Sequence, residues 1–397
     1  MTIVRRIALP FAFSLAAFAA GCTPEADRSD FVGMELNDTH LTVSPTNAFA
    51  DDPAAASLGQ RLFFDRGLSS DGTVACVSCH DPAKGFSDDR AFSIGVRGQA
   101  GDRHSMPVTA AVLHPSLLWD GKADSAWSQP LKALENPKEM DFSRVEVAHR
   151  VADRHRVGYE DVFGPLPDLS ALPRRAQPGD EAWSALDEGQ RDEVQRVFAN
   201  VGKALEAYER KLLCVDTRFD KWLRGEGSLS DEERAGGATF KREGCANCHS
   251  GPTFSDGIFH NIGVPSSDRG RAMGAPAVLA DLFNGAGPYS DDRAFGEAKL
   301  ALVANEVAAA QEGAFRTPSL RGVGQRRFFG HAAHQETVRA FVQDMYTRGH
   351  HRRTATVGSL DPALSSVHVD GHDLNDLVAF LHTLDCPAPP PDVLAEP

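Results

Sequence analysis

The chain has 397 residues, 42% hydrophobic and 24% charged, which is apolar enough to bury ordinary cores and excludes a disordered chain. A formal charge of −14 argues against a nucleic-acid partner and favours a basic or neutral one. The length sets an expectation of two or three domains.

At the N-terminus, Arg5 and Arg6 precede an apolar run from Ile7 to Ala20 that is too short to span a bilayer. Ala19-Ala20-Gly21-Cys22 then has the form of a lipoprotein processing site. Residues 1–21 are expected to be a signal peptide and 22–45 a flexible linker. Lipidation at Cys22 and ordinary secretion are the two outcomes, and both put the mature chain in the periplasm, with any membrane attachment made only through Cys22. Cleavage removes Arg5 and Arg6 and no acidic residue, which turns −14 into −16.

Next, Leu58, Leu62 and Phe63 form a helical apolar face that leads, through Phe64-Asp65-Arg66-Gly67-Leu68-Ser69, into Cys76-Val77-Ser78-Cys79-His80. C-x-x-C-H is the attachment signal of a c-type haem: two thiols add across the vinyl groups and the histidine becomes an axial ligand of the iron. The signal returns as Cys245-Ala246-Asn247-Cys248-His249. A zinc ribbon spaces its pairs by roughly 15–20 residues, whereas these begin 169 apart, so two covalently bound haem c groups are expected. Phe86-Ser87-Asp88 pairs with Phe254-Ser255-Asp256, and Ile94-Gly95-Val96 with Ile262-Gly263-Val264, both at an offset of 168. Ordered blocks at a constant offset indicate an internal repeat. The expected fold is mainly α, two tandem cytochrome c-like haem domains over 46–178 and 179–386, with the Pro-rich stretch from Pro165 to Gly179 as linker.

In the second half, Val194, Val197, Phe198, Val201, Leu205, Tyr208 and Leu212 recur at helical spacing, and Ser230 with Glu233 makes a capping box ahead of Cys245. The stretch from Gly274 to Gly313 reads as an insertion. Thr337–Met345 and Asp373–Leu384 read as closing helices, His350 to Arg353 as a solvated loop, and 387–397 as a disordered tail. Cys214 and Cys386 are left over, either as a disulfide in an oxidising compartment or as two buried thiols.

From Leu58 to Leu384 the chain resembles the bacterial di-haem cytochrome c peroxidases and their MauG-type relatives. The residues that carry the resemblance are both haem motifs, Leu62-Phe63-Phe64-Asp65, Leu118-Trp119-Asp120-Gly121-Lys122, Asn136-Pro137-Lys138-Glu139-Met140 and the run from Gly313 to Arg321. The resemblance implies that the N-terminal haem reacts with hydrogen peroxide and that the C-terminal haem relays electrons from a small redox protein, a cytochrome c or cupredoxin. It implies that Trp119 couples the haems, that Glu139 moves protons over the first haem, and that Gln129 holds water or peroxide beside it. Trp127 has no such match and reads as core. A second copy of the chain is kept as a candidate partner.

The departures are equally specific. Where many relatives place a displaceable histidine, this chain has Val96, which cannot bind iron. His104 stands where relatives often carry an asparagine associated with calcium. That argues against calcium as a further cofactor, and a solvent-facing or structural role is expected for His104. At the second haem, Gly330 in Phe328-Phe329-Gly330-His331-Ala332-Ala333-His334 occupies the place of the usual methionine or tyrosine, leaving His331, His334 or Met345 as candidate sixth ligands. Glu243 stands where MauG carries a tryptophan used to oxidise a protein. The leading expectation is an exported peroxidase. The alternatives are a MauG-like oxidase that modifies a partner protein through a high-valent di-haem state, and a plain electron-transfer cytochrome.

Overall fold

A computed structural model describes residues 25–308, 311–347 and 356–394. Its helices in the first half are α1 (Pro53–Phe64), α2 (Cys76–Cys79), α3 (Gln129–Glu135), α4 (Arg144–Arg150), α5 (Arg156–Phe163), α6 (Glu181–Ser184) and α7 (Glu188–Glu209). The second half contains α8 (Arg218–Arg224), α9 (Asp231–Arg242), α10 (Arg271–Leu279), α11 (Arg293–Ala308), α12 (Val338–Tyr346), α13 (Leu374–His382) and α14 (Pro391–Leu394). Among the described residues the only strands, β1 (Phe259–His260) and β2 (Phe315–Arg316), pair antiparallel. No described helix is long and apolar enough to cross a membrane. The expected signal peptide, Cys22 and the loop from His350 to Arg353 lie outside the described residues.

Local chemistry starts the main helices. Asp52 accepts the Ala54 and Ala55 amides ahead of Pro53 to open α1, and the Ser230–Glu233 capping box opens α9 as its sequence suggests. Each of these helices leads into a C-x-x-C-H motif, and each crosses a partner through a glycine. A Cβ on Gly59 would lie 1.9 Å from Ala204 O of α7, and one on Gly236 would lie 1.8 Å from Asp376 O of α13. The α1/α7 and α9/α13 pairs are therefore the same device used twice.

That pairing corrects the boundary drawn at 178. The apolar face of α7 (Val197, Val201, Leu205, Tyr208) is buried against Leu58, Leu62 and Phe63 of α1, so α7 closes the first core instead of opening the second. The stretch between them is packed as well, with Leu169 and Ala176 buried. The second core gathers Phe240, Leu377 and Phe380 with Phe219, Trp222 and Phe254.

Two further expectations are corrected. The segment taken as a flexible linker is, from Ala26 onward, part of the second core: Phe31 stacks on Phe380 at 5.4 Å between ring centroids, and Leu36 is fully buried. The tail taken as disordered is docked as far as residue 394, because Tyr208 Oη donates to Val393 O (2.7 Å) and Gln60 Nε2 to Asp392 O (2.8 Å). Cys214 and Cys386 form a disulfide, with Cα atoms 5.0 Å apart, that ties the chain after α7 to the chain after α13. The insertion forms α10 and α11 around Ala275, Val278, Leu300 and Val303, and sends Phe283 and Tyr289 into the first core.

Candidate functional site

The two motif loops repeat one hydrogen bond. His80 Nδ1 lies 3.2 Å from Phe86 O, and His249 Nδ1 lies 2.9 Å from Phe254 O. An N–H donated there leaves Nε2 with a free lone pair for a metal. To aim these carbonyls, Phe86 and Phe254 take left-handed backbone angles (φ 57° and 51°), a strain of about 1–3 kcal/mol for a residue with a side chain. Burial lowers the pKa of both histidines and favours the neutral, ligating form.

Next to the second motif lies a cavity of about 180 Å³ with largely apolar walls. Cys245, Cys248 and His249 line one part of it, and Phe240, Val264 and Phe341 are among its apolar walls. Arg316 and Arg326 also line it, with no ion-pair partner among the described residues and with both Nε atoms buried and unbonded. Burial alone pushes Arg316 down to about 10, and burial also pushes Arg326 to about 10. A buried cation without an ion-pair partner is costly, so these two guanidiniums suit an anionic group. A haem fits each of these features: apolar walls, two thiols, a histidine, and two guanidiniums for its propionates.

Trp119 stands where the two halves meet. It is 9% exposed, its Nε1 donates to His104 O (2.8 Å), and its carbonyl accepts the Arg316 amide (2.9 Å). The His104 amide in turn donates to His331 O (2.9 Å), and the Trp119 and His331 rings lie 6.2 Å apart. One residue on, Ser105 Oγ donates to Cys79 O (3.2 Å), so this short segment touches the first motif and the cavity of the second. Trp127 is core, fully buried with Nε1 on Thr46 Oγ1 (3.1 Å).

Glu139 and Val96 are neighbours. The Val96 amide donates to Glu139 O (2.9 Å), and a Cβ on Gly95 would lie 2.0 Å from Lys138 O, so only glycine allows the approach. Glu139 Oε1 accepts Asn136 Nδ2 (2.6 Å). Burial pushes the Glu139 carboxyl above its usual range, against the opposing pull of the Lys122 ammonium and the Asn136 hydrogen bond. Gln129 is the first residue of α3, half-buried, with no side-chain hydrogen bond to any described residue.

The candidate sixth ligands separate cleanly. His331 lines the cavity, is 4% exposed, stacks on Phe315 at 3.5 Å and has an unbonded Nε2; burial pushes its pKa down to about 4. His334 does not line it and is held 2.5 Å from Asp344, while Met345 is fully buried outside the lining. Of the three candidates, His331 is therefore the one that faces the cavity. A Cβ at Gly330 would meet Phe341 and Val264, both cavity residues, at 3.4 Å, so the place faces the cavity with no side chain to offer. His104 is buried, at 5% exposure, which excludes the solvent-facing role.

Two site residues escaped the sequence reading. Tyr346 lines the cavity half-buried beside Phe341. His260 lies between Asp256 (3.0 Å) and Asp361 (2.6 Å), and the hydrogen bonds to these carboxylates, Asp256 first, raise its pKa. Only its spacing four residues after Asp256 is visible in the sequence; Asp361 arrives from 101 positions away.

The model of the di-haem cytochrome c peroxidase family matches residues 53–228. The methylamine utilization protein MauG of Paracoccus denitrificans is 31% identical over 305 residues, 68% of this chain and 69% of that protein. The chain belongs to the di-haem cytochrome c peroxidase family. Another member, the cytochrome c551 peroxidase of Nitrosomonas europaea, is 29% identical over 246 residues, 60% of this chain and 65% of its own. The crystal structure of a MauG-like protein associated with microbial copper homeostasis superposes with a TM-score of 0.62 at 25% identity, covering 89% of this chain and 97% of the other. Relatives carry both names, peroxidase and MauG, and the chain is an oxidoreductase of that family.

Proposed function

We propose that this oxidoreductase reduces hydrogen peroxide to water with electrons from a small redox protein, and that it works as two tandem cytochrome c-like modules, the first closing with α7. Each module would hold one haem c, through Cys76, Cys79 and His80 in the first and Cys245, Cys248 and His249 in the second. Bound there, the haems would supply redox-active iron for the reaction with peroxide and for passing electrons. Arg316 and Arg326 offer the charge that propionates need. The processing site at Cys22 and the disulfide support export to the periplasm, with a lipid anchor at Cys22.

The observation that carries the reading is the pairing of Glu139 with Val96. A half-buried glutamate, its carboxyl pushed up by desolvation, stands beside a position whose side chain cannot ligate iron. Splitting peroxide requires a base for the first proton and an acid that returns it to the leaving oxygen. With Oε1 occupied by Asn136, Oε2 of Glu139 is the atom free to take that proton and give it back. Gln129, with its amide uncommitted, is suited to hold peroxide by hydrogen bonds. Replacing Glu139 by Gln should slow the reaction with peroxide at least about a hundredfold while haem content stays unchanged. A variant as fast as the parent would refute the assignment.

Oxidation of a partner protein is the second reading, favoured by the similarity to MauG and by the bare Gly330. Glu243 gives it no exit, being 8% exposed and held by Arg242 (2.7 Å). Tyr346 is the cavity aromatic that could provide one.

A further inference from the structure

Apart from the haem cavity, both halves of the chain build a second concave site, a polar cleft of about 440 Å³ lined by Lys122, Lys132, Glu135, Asn136, Ala277 and Asp281. Lys132 of α3 and Asp281, which follows α10, form an ion pair across it. Lys122 differs, since among the described residues nothing accepts a hydrogen bond from its ammonium and no carboxylate pairs with it. Yet its position is fixed. Asp120 Oδ1 accepts the Lys122 amide (3.2 Å), Arg103 pairs with Asp120 (2.6 Å), and Arg271 of α10 donates to Gly121 O (2.9 Å). A Cβ on Gly274 would lie 2.0 Å from Asp120 O, so α10 presses directly on this loop.

Asn136 lines the cleft and carries the hydrogen bond to Glu139 Oε1. The cleft thus leads from solvent to the partner of the acid–base group, with an unpaired cation on its wall. We propose that this cleft is the route by which hydrogen peroxide, a small neutral hydrogen-bonding solute, reaches Glu139, and that Lys122 is a positioning residue that keeps Glu139 in its proton-accepting form. The proposal rests on the assignment of Glu139 to proton transfer.

The physical need is specific. Burial favours the neutral carboxylic acid, which cannot take the first proton. Lys122 is the leading group opposing burial, with Asn136 next, while Asp102 acts the other way and is itself paired with Lys138 (2.5 Å). Cys79 also faces Glu139, and as a haem thioether it carries no charge. The loop that presents Trp119 to the junction therefore also presents Lys122 to the peroxide side.

The test uses the diferric holoprotein and stopped-flow rates with hydrogen peroxide from pH 4.5 to 8.5, together with the infrared band of the protonated Glu139 carboxyl, identified by its loss in Glu139→Gln. Lys122→Met should raise the acid midpoint by about one pH unit in both readouts, as expected for loss of a nearby opposite charge. Lys122→Arg should restore it. Ala277→Trp, at an exposed position of the cleft, should slow the reaction at every pH without moving the midpoint. A Lys122→Met profile that overlays the parent in both readouts overturns the role of Lys122, and a parent-like rate in Ala277→Trp overturns the route. If Glu139→Gln itself reacts normally, the underlying assignment fails instead, and the two failures are told apart.

Discussion

Replacing Asp220 by Asn should destabilise the second core far more than an ordinary point change. Asp220 is fully buried against Arg321, itself 1% exposed, with Arg321 Nη1 and Nη2 at 2.8 and 2.9 Å from its two oxygens. The amides of Leu36 and Thr217 also donate to it, at 3.1 and 3.0 Å. Removing one partner of a buried pair leaves the other charge uncompensated, at a cost of about 3–5 kcal/mol. Arg321 Nε also donates to Pro252 O (2.5 Å), in the loop that carries the His249 partner Phe254. The loss should thus appear first as loosening around the second haem. Burial would raise the Asp220 pKa, but the Arg321 hydrogen bond and charge bring it below 3.8 overall. The pair's contribution is therefore full above the unfolded value and is lost as pH falls through the folded one. Urea unfolding of the holoprotein, followed by tryptophan fluorescence at pH 7 and at pH 3, measures both effects. A cost below about 1 kcal/mol at pH 7, or a gap between parent and variant that widens in acid, would refute the reasoning.

Trp119→Ala should leave haem content intact and slow electron transfer between the haems in flash or stopped-flow kinetics; an unchanged rate removes Trp119 from the path. Cys214→Ser with Cys386→Ser opens a loop spanning 172 positions, for which loop entropy gives about 5 kcal/mol, readable as a lower urea midpoint. Arg316→Gln should lower the reduction potential of a haem held in the cavity that it lines, because a fixed cation no longer opposes the oxidised state. A redox titration identical to the parent would contradict the counter-ion role.

Much of this architecture is written locally. The C-x-x-C-H motifs, the register between Phe86 and Phe254, and the Ser230–Glu233 cap each depend on a few adjacent residues, and all three lie where the sequence puts them. The module boundary was not legible, because the face of α7 is apolar whichever core it joins; the deciding feature is Gly59, a single glycine whose close approach to Ala204 no periodicity reveals. Phe31 and Val393 were misread for a similar reason, since their anchors, Phe380 and Tyr208, lie 349 and 185 positions away. At the second haem, composition offered three ligand candidates, and only the tertiary fold separates His331, unbonded in the cavity, from His334, which Asp344 has claimed. Arg316 and Arg326 look like ordinary surface charges in the sequence, and only their burial without a carboxylate marks them.

The most direct test of the central claim is to add one equivalent of hydrogen peroxide to the purified diferric protein and follow its EPR and Soret spectra over seconds to minutes, with Glu139→Gln alongside. The account predicts a fast loss of ferric signal in the parent, recovery when a reduced cytochrome c or cupredoxin is supplied, and little loss in the variant. No reaction in the parent would leave only an electron carrier, and a loss that persists for minutes and ignores small donors would contradict the peroxidase reading in favour of partner oxidation.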